Sequence, residues 1–389
     1  MGGKSEKNME NNGISLMMND MVTVVAIIAI SIAVMMLRNR PTVGIEIEVV
    51  RKESSGTPSM LARWIARITG RNETTYRGYT HEGLHDLKVV SDGSLNYNGV
   101  EIVTPVMKSD ELGLIRKICN ALRGLATADS SCGIHAHVGL LQEVGDATQH
   151  WSRDDSRWPV IAGWTGRILQ AYGRFEPAIS TILAPSRTDN RMCRSVRQLI
   201  SRLESQIDYY TGESSVKPLM DWHKYSIEKA RSIMGFFSYD NRYYTVNPNA
   251  LSRYGTMEYR QHGGSTNPNH IGAWTKLMVA LTLACRGPWS MGGPRNPQNH
   301  PQTLEGMFAW LGIEPNDDLY KHWARRQKRF AGQLTWDECN SCGSPSCDGD
   351  DYCPNTPTEK PEDYDSYVGI PDDEDHCGYC EEPESECDC

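Results

Sequence analysis

Four short segments constrain this chain more than anything else in it, because each sets charged or imidazole side chains two residues apart between apolar ones. They are Gly44-Ile45-Glu46-Ile47-Glu48-Val49, Gly99-Val100-Glu101-Ile102-Val103, Gly133-Ile134-His135-Ala136-His137-Val138 and Thr256-Met257-Glu258-Tyr259-Arg260-Gln261-His262. Successive side chains of a strand point to opposite faces. The pattern therefore predicts that Glu46 and Glu48 share a face, that His135 and His137 share one, and that Glu258, Arg260 and His262 share one, with Ile45, Ile47 and Val49 turned to the core. A sheet face that gathers carboxylates, imidazoles and an arginine is costly unless cations and anions lie between them. A divalent metal with phosphate is the simplest combination that meets this demand.

The segments are separated by helical patterns and long loops, without regular strand–helix alternation. That favours an α+β domain built on an antiparallel sheet. Helices are predicted over residues 109–125, with Ser109 as N-cap, and over 164–183, 191–210, 269–285, 304–311 and 317–330. Residues 286–303, rich in Gly, Pro and Asn, read as a loop.

Charge divides the chain. The formal net charge is −9 over 389 residues. Residues 336–389 hold 18 Asp and Glu against one Lys, a net of −17, which leaves +8 on the remainder. A mildly basic body suits an anionic ligand such as a nucleotide and is too weakly basic to argue for DNA or RNA. No P-loop pattern and no G-x-G-x-x-G occurs, so neither of those nucleotide-binding folds is indicated.

Four regions follow. Residues 1–20 are polar and read as a disordered N-terminus. Residues 21–38 begin with a 17-residue apolar run, 21–37, broken only by Thr23 and Ser31. This is at the short end for a membrane-spanning helix, and its basic C-terminal flank would put the following body on the cytoplasmic side. A buried helix is the alternative. Residues 39–335 carry every motif above. Residues 336–389 form an acidic tail with eight cysteines: Cys339, Cys342, Cys347, Cys353, Cys377, Cys380, Cys387 and Cys389. Two C-x-x-C pairs make one or two four-cysteine Zn²⁺ sites an expectation, against a disordered tail of reduced thiols. The four body cysteines are scattered and read as reduced, in a cytoplasmic setting.

Each motif has an ordinary reading beside the chemical one. Glu46 and Glu48 fit one Mg²⁺ or two adjacent ones, or a solvated strand face. Asp92, in Val90-Ser91-Asp92-Gly93-Ser94, is an acid in a turn just before the Glu101 strand. His135 and His137 suit Zn²⁺, Mn²⁺ or Fe better than Mg²⁺; they also fit one metal ligand with one phosphate or carbonyl donor, or a core pair. Glu258 fits a metal, Arg260 and His262 fit phosphate, and an ion pair across strands is the alternative. Arg187 and Arg191, in the loop SRTDNR, and Arg242 and Asn247, in NRYYTVN, are candidate contacts for a substrate carboxylate or phosphate.

Taken in order, GIEIE, DGSL with GVEIVTP, CGIHAHVG and YGTMEYRQHGG, with SRTDNRMC between the last two, resemble the amidoligase family of the carboxylate–amine ligase superfamily, which includes glutamate–cysteine ligase and glutamine synthetase. The resemblance covers residues 41–285. It implies a curved antiparallel sheet of glutamine-synthetase-like type with flanking helices, whose concave face holds Mg²⁺ and ATP. The implied reaction activates a carboxylate as an acyl phosphate, which an amine then converts to an amide. It further implies that Glu46, Glu48, Glu101 and Glu258 hold metal with Asp92 in the same acidic cluster, that His135 or His137 is a metal ligand or a phosphate contact in catalysis, and that Arg260 is the phosphate-facing cation. The substrates would be ATP, a carboxylate and an amine carried by a peptide, a protein or an amino acid. Two other readings stay open at this point: a metal-dependent hydrolase built on His135 and His137, and an inactive, membrane-tethered interaction protein.

Overall fold

A computed structural model describes residues 41–72, 74–78, 86–140, 158–188, 190–211, 226–236, 242–286 and 295–332. The apolar run at 21–37 and the cysteine-rich tail lie outside these residues. Among the described residues no helix is long and apolar enough to cross a membrane.

The architecture is α+β. Among the described residues nine strands form one sheet: β1 (Thr42–Arg51), β2 (Thr75–Tyr76), β3 (Lys88–Ser91), β4 (Gly99–Val103), β5 (Met107–Lys108), β6 (Ala126–Thr127), β7 (Gly133–Gly139), β8 (Val246–Asn247) and β9 (Thr256–Gly263). The order is β2-β3-β4-β1-β7-β9-β8, and β5 and β6 both pair with β1. Every pairing is antiparallel except β2 with β3, which is parallel, so the sheet is mixed at that edge. All four segments singled out in the sequence are strands, and they are contiguous in the sheet.

Helices complete the domain: α1 (Pro58–Thr69), α2 (Gly113–Leu122), α3 (Trp158–Ser180), α4 (Val196–Thr211), α5 (Ile227–Phe236), α6 (Ala250–Tyr254), α7 (Pro268–Ala284), α8 (Leu304–Leu311) and α9 (Asp318–Phe330). α7 packs on β7, α1 lies against β2 and β3, and α9 packs on α7. Between sheet and helices sits one core that includes Ile45, Ile47, Ile102, Ile134, Tyr259, Trp274, Leu277 and Trp323, all essentially without solvent contact. The strand alternation buries these residues on one face and leaves the other for polar chemistry.

Capping explains the best-matched helices. Thr303 Oγ1 accepts from the Gly306 amide ahead of α8, and Gly312 ends it at φ 71°; Asp317 caps α9 through the Leu319 amide. Two predicted starts move. The helix expected from residue 109 begins at Gly113 and Ser109 caps nothing, because Met107 and Lys108 are held extended against β1. The helix expected from residue 191 begins at Val196, because the Arg194 backbone is engaged by Tyr243 O at 2.9 Å and Thr245 N at 2.8 Å. α1 was not anticipated, although Thr57-Pro58 at its start and left-handed Gly70 at its end are ordinary boundary signals.

Candidate active site

Sheet register decides which side chains meet. Residues directly opposite one another present side chains on the same face. Glu101 of β4 faces Glu48 of β1. Glu46 of β1 faces His135 of β7. His137 of β7 faces Glu258 of β9, which in turn faces Asn247 of β8. Five strands thus bring their polar members onto one face, the one opposite the helical core.

The contacts are close. His135 Nδ1 lies 2.8 Å from Glu46 Oε2 and 3.8 Å from Glu258 Oε1, and its Nε2 lies 3.5 Å from Glu48 Oε1. His137 Nε2 lies 3.2 Å from Glu46 Oε1, and its Nδ1 is 3.0 Å from Thr256 Oγ1. Arg260 pairs with Glu258 Oε1, and Asn247 Nδ2 donates to Glu258 Oε2 at 2.5 Å. Both Glu258 oxygens are therefore fixed. Glu48 Oε2 accepts from the Gly133 amide, and Asp92 Oδ1 accepts from the amide and hydroxyl of Ser94.

Most of these groups line an open cleft. Glu46, Glu101, Glu258, Asp92, His135, His137 and Arg260 form most of its polar lining, and its wall also includes Met192, Arg242, Tyr243, Asn247 and Tyr254. Arg242 is exposed and stacks on Tyr243, 4.8 Å from the ring centre.

Electrostatics follow from crowding carboxylates in a buried place. Burial, reinforced by Glu46 and Glu48, pushes the Glu101 carboxyl well above its ordinary range. Glu48 is raised by burial too, partly opposed by His135 and Arg260. For Glu46, burial acts upward but is outweighed by His137 and His135, which hold the carboxyl well below the usual range. Glu258 is likewise lowered, Arg260 prevailing over burial. Burial disfavours charge on His137, yet the Glu46 carboxylate beside it raises its affinity for a proton.

Donor chemistry fits a divalent metal. Three sets each offer ligand atoms within 4.8 Å of one another: Glu46 with Glu101 and His135, Glu46 with His137 and Glu258, and Glu48 with Asp92 and Glu101. The last is all oxygen, as Mg²⁺ prefers; the other two contain an imidazole, which Mn²⁺ or Zn²⁺ accepts more readily.

Most expected residues converge here: Glu46, Glu48, Asp92, Glu101, His135, His137, Arg242, Asn247, Glu258 and Arg260. Arg191 is exposed in the turn beside Met192. Arg187 is 5% exposed and bonds a main-chain oxygen, that of Arg260, at 2.8 Å. His262 is a correction. It does not share a face with Glu258 and Arg260, because β9 carries one extra residue opposite β7: Ala136 pairs with Tyr259, but Ile134 pairs with His262. A bulge of this kind inverts the side-chain alternation beyond it. His262 consequently faces the core, 5.4 Å from the Trp274 ring and 6.1 Å from that of Trp323.

Lys88 was missed. It lies opposite Val103, which lies opposite Glu46, so the lysine belongs to the polar face while being 3% exposed. Its pKa is lowered by burial and by Arg77, with Glu101 and Glu46 opposing. The signal available was its two-residue spacing from Val90, immediately before the Asp92 turn. Tyr254, three residues ahead of Met257, was also overlooked and forms an edge-on contact with His137, ring centres 5.9 Å apart.

Over residues 39–282 the chain matches the family model described as "Putative amidoligase enzyme". No curated protein matches it in sequence. Among solved structures it is similar to a bifunctional glutathione synthetase from Pasteurella multocida, with 15% identity and a TM-score of 0.34 over 76% of this chain. The chain spans about half, 48%, of the length of that protein.

Proposed function

Given that the chain belongs to the amidoligase family and so to the amide-forming ligases, we propose that it joins a carboxylate to an amine at the expense of ATP, with Mg²⁺ bound in the cleft. One observation carries this reading: Glu46, Asp92, Glu101, Glu258, His135, His137 and Arg260, from β1, β4, β7, β9 and the turn after β3, line one cleft with Glu48 buried beside His135, and together they make three overlapping donor sets. Buried acids in that number are tolerable where cations and phosphate complete the site.

Glu48, Asp92 and Glu101 would hold one Mg²⁺, and Glu46, His137 and Glu258 a second metal. Bound there, the metal neutralises phosphate charge and favours in-line transfer. The chain's own groups do the rest. Arg260, anchored through Glu258, turns a fixed planar cation toward the transferring phosphoryl group. Asn247 locks Glu258, so the Arg260–Glu258 pair has one geometry. His135, held between Glu46 and Glu48, keeps their carboxylates apart. In the reaction, a carboxylate oxygen attacks the γ-phosphorus and ADP leaves, giving an acyl phosphate. The amine nitrogen then attacks the acyl carbon, inorganic phosphate leaves, and the amine gives up one proton.

The test is turnover by the purified full-length chain with ATP, Mg²⁺ and panels of carboxylates and amines. ADP and phosphate release that requires both partners, with an amide of the summed mass less water, is the expected result. Stoichiometric retained Zn²⁺ with ATP-independent hydrolysis of amides would instead establish the hydrolase reading.

A further inference from the structure

Two glycines face each other at the end of the central strand pair: Gly133 of β7 and Gly263 of β9. With no side chains there, the sheet has a shallow groove on its polar face, and Arg187 fills it. A Cβ on Gly263 would lie 3.5 Å from Arg187 Cγ, and one on Gly133 would lie 2.8 Å from its guanidinium nitrogen, 3.1 Å from His135 Nε2 and 3.2 Å from Glu48 Oε2. The guanidinium thus rests over Gly133 beside two groups of the cleft.

Its bond goes to the bulge. The extra residue in β9 falls between Tyr259 and His262, and a bulge takes backbone groups out of the ladder. The Arg260 amide donates to Thr245 O at 3.0 Å, and the Arg260 carbonyl accepts from Arg187 at 2.8 Å. Without the arginine this carbonyl would lose a charge-assisted partner in a buried place.

We propose that Arg187 is a positioning residue: seated in the Gly133–Gly263 groove, it holds the β9 bulge that keeps Arg260 on the cleft face and turns His262 into the core. This differs from the substrate contact expected of Arg187 from its loop. The kinetic part of the test rests on the ligase reading; the spectroscopic part does not.

The bulge has a reporter. His262 Nδ1 lies 2.6 Å from Gly263 O. A carbonyl oxygen only accepts, so Nδ1 carries the hydrogen and Nε2 is bare, a single tautomer. Long-range proton–nitrogen spectra of the full chain labelled on its 11 histidines read that tautomer, with His262→Gln identifying the signal. In Arg187→Met the His262 signal should shift or split, and kcat should fall about 10²-fold, the scale expected for a displaced catalytic group, while KM changes far less. Arg187→Lys should restore part of both. Gly133→Ala, whose methyl displaces the guanidinium, should move the same signal and add nothing to Arg187→Met in the double variant. If Arg187→Met does not fold, Arg187→Lys and Gly133→Ala are read on the same spectra. An unchanged His262 signal in the folded variants overturns the proposal. An unchanged signal with a raised KM would return Arg187 to substrate binding. If the parent chain shows no ligase activity, the spectra alone decide.

Discussion

Acid should destabilise this fold through its core histidines before it protonates the bulk of its carboxylates. His262 is 2% exposed, and burial, with Arg326 and Arg187 nearby, drops its pKa from 6.5 to about 3. The folded protein therefore keeps His262 neutral while the unfolded chain takes up a proton below pH 6.5. A histidine with a lowered folded pKa makes stability rise with pH, and the contribution is lost as pH falls from 6.5 toward 3. At about pH 5 the gap is roughly 1.5 units at about 1.4 kcal/mol each, so His262 alone removes about 2 kcal/mol relative to pH 7.5. His270 is lowered as well, by burial and Arg326, and His322 falls to about 4; both act in the same direction. His137 acts oppositely, since its raised pKa adds stability at lower pH that is lost as pH rises. The informative quantity is thus a difference between variants. Urea unfolding of the parent and of His262→Gln at pH 7.5 and pH 5 should show the variant less stable at both, with about 2 kcal/mol less pH dependence. Equal pH dependence in the two proteins would refute the assignment of a neutral, core-facing His262.

Other consequences are as direct. Glu46→Gln and Glu48→Gln should each abolish ATP-dependent amide formation and weaken Mg²⁺ binding in calorimetry, with circular dichroism unchanged; full activity in both at low millimolar Mg²⁺ would remove them from the metal site. Arg260→Lys should cost about 10²-fold or more in kcat, because a point charge cannot reproduce a planar fork; near-normal turnover would leave Arg260 only as the ion-pair partner of Glu258. Gly306→Ala should destabilise the chain by about 1–3 kcal/mol in thermal unfolding although alanine is the better helix former, because its methyl would press on the Pro301 carbonyl; a higher melting temperature would contradict that packing.

What the sequence determined by itself was local. Alternation of apolar and charged residues marked β1, β4, β7 and β9 as strands with one polar face, and the helices expected over 304–311 and 317–330 are α8 and α9. The order of the motifs also pointed to the family. These rest on contacts within a few residues, which the order of amino acids controls directly. The tertiary structure alone decided the rest. Nothing near Arg260 signals that β9 gains a residue against β7, since a bulge is a property of a strand pair. That one residue moves His262 from the site to the core. The placement of Lys88 and of Arg187 was illegible for the same reason: one is set by pairing through β4 to β1, the other by a groove that two glycines, 130 positions apart in sequence, make only when their strands are side by side.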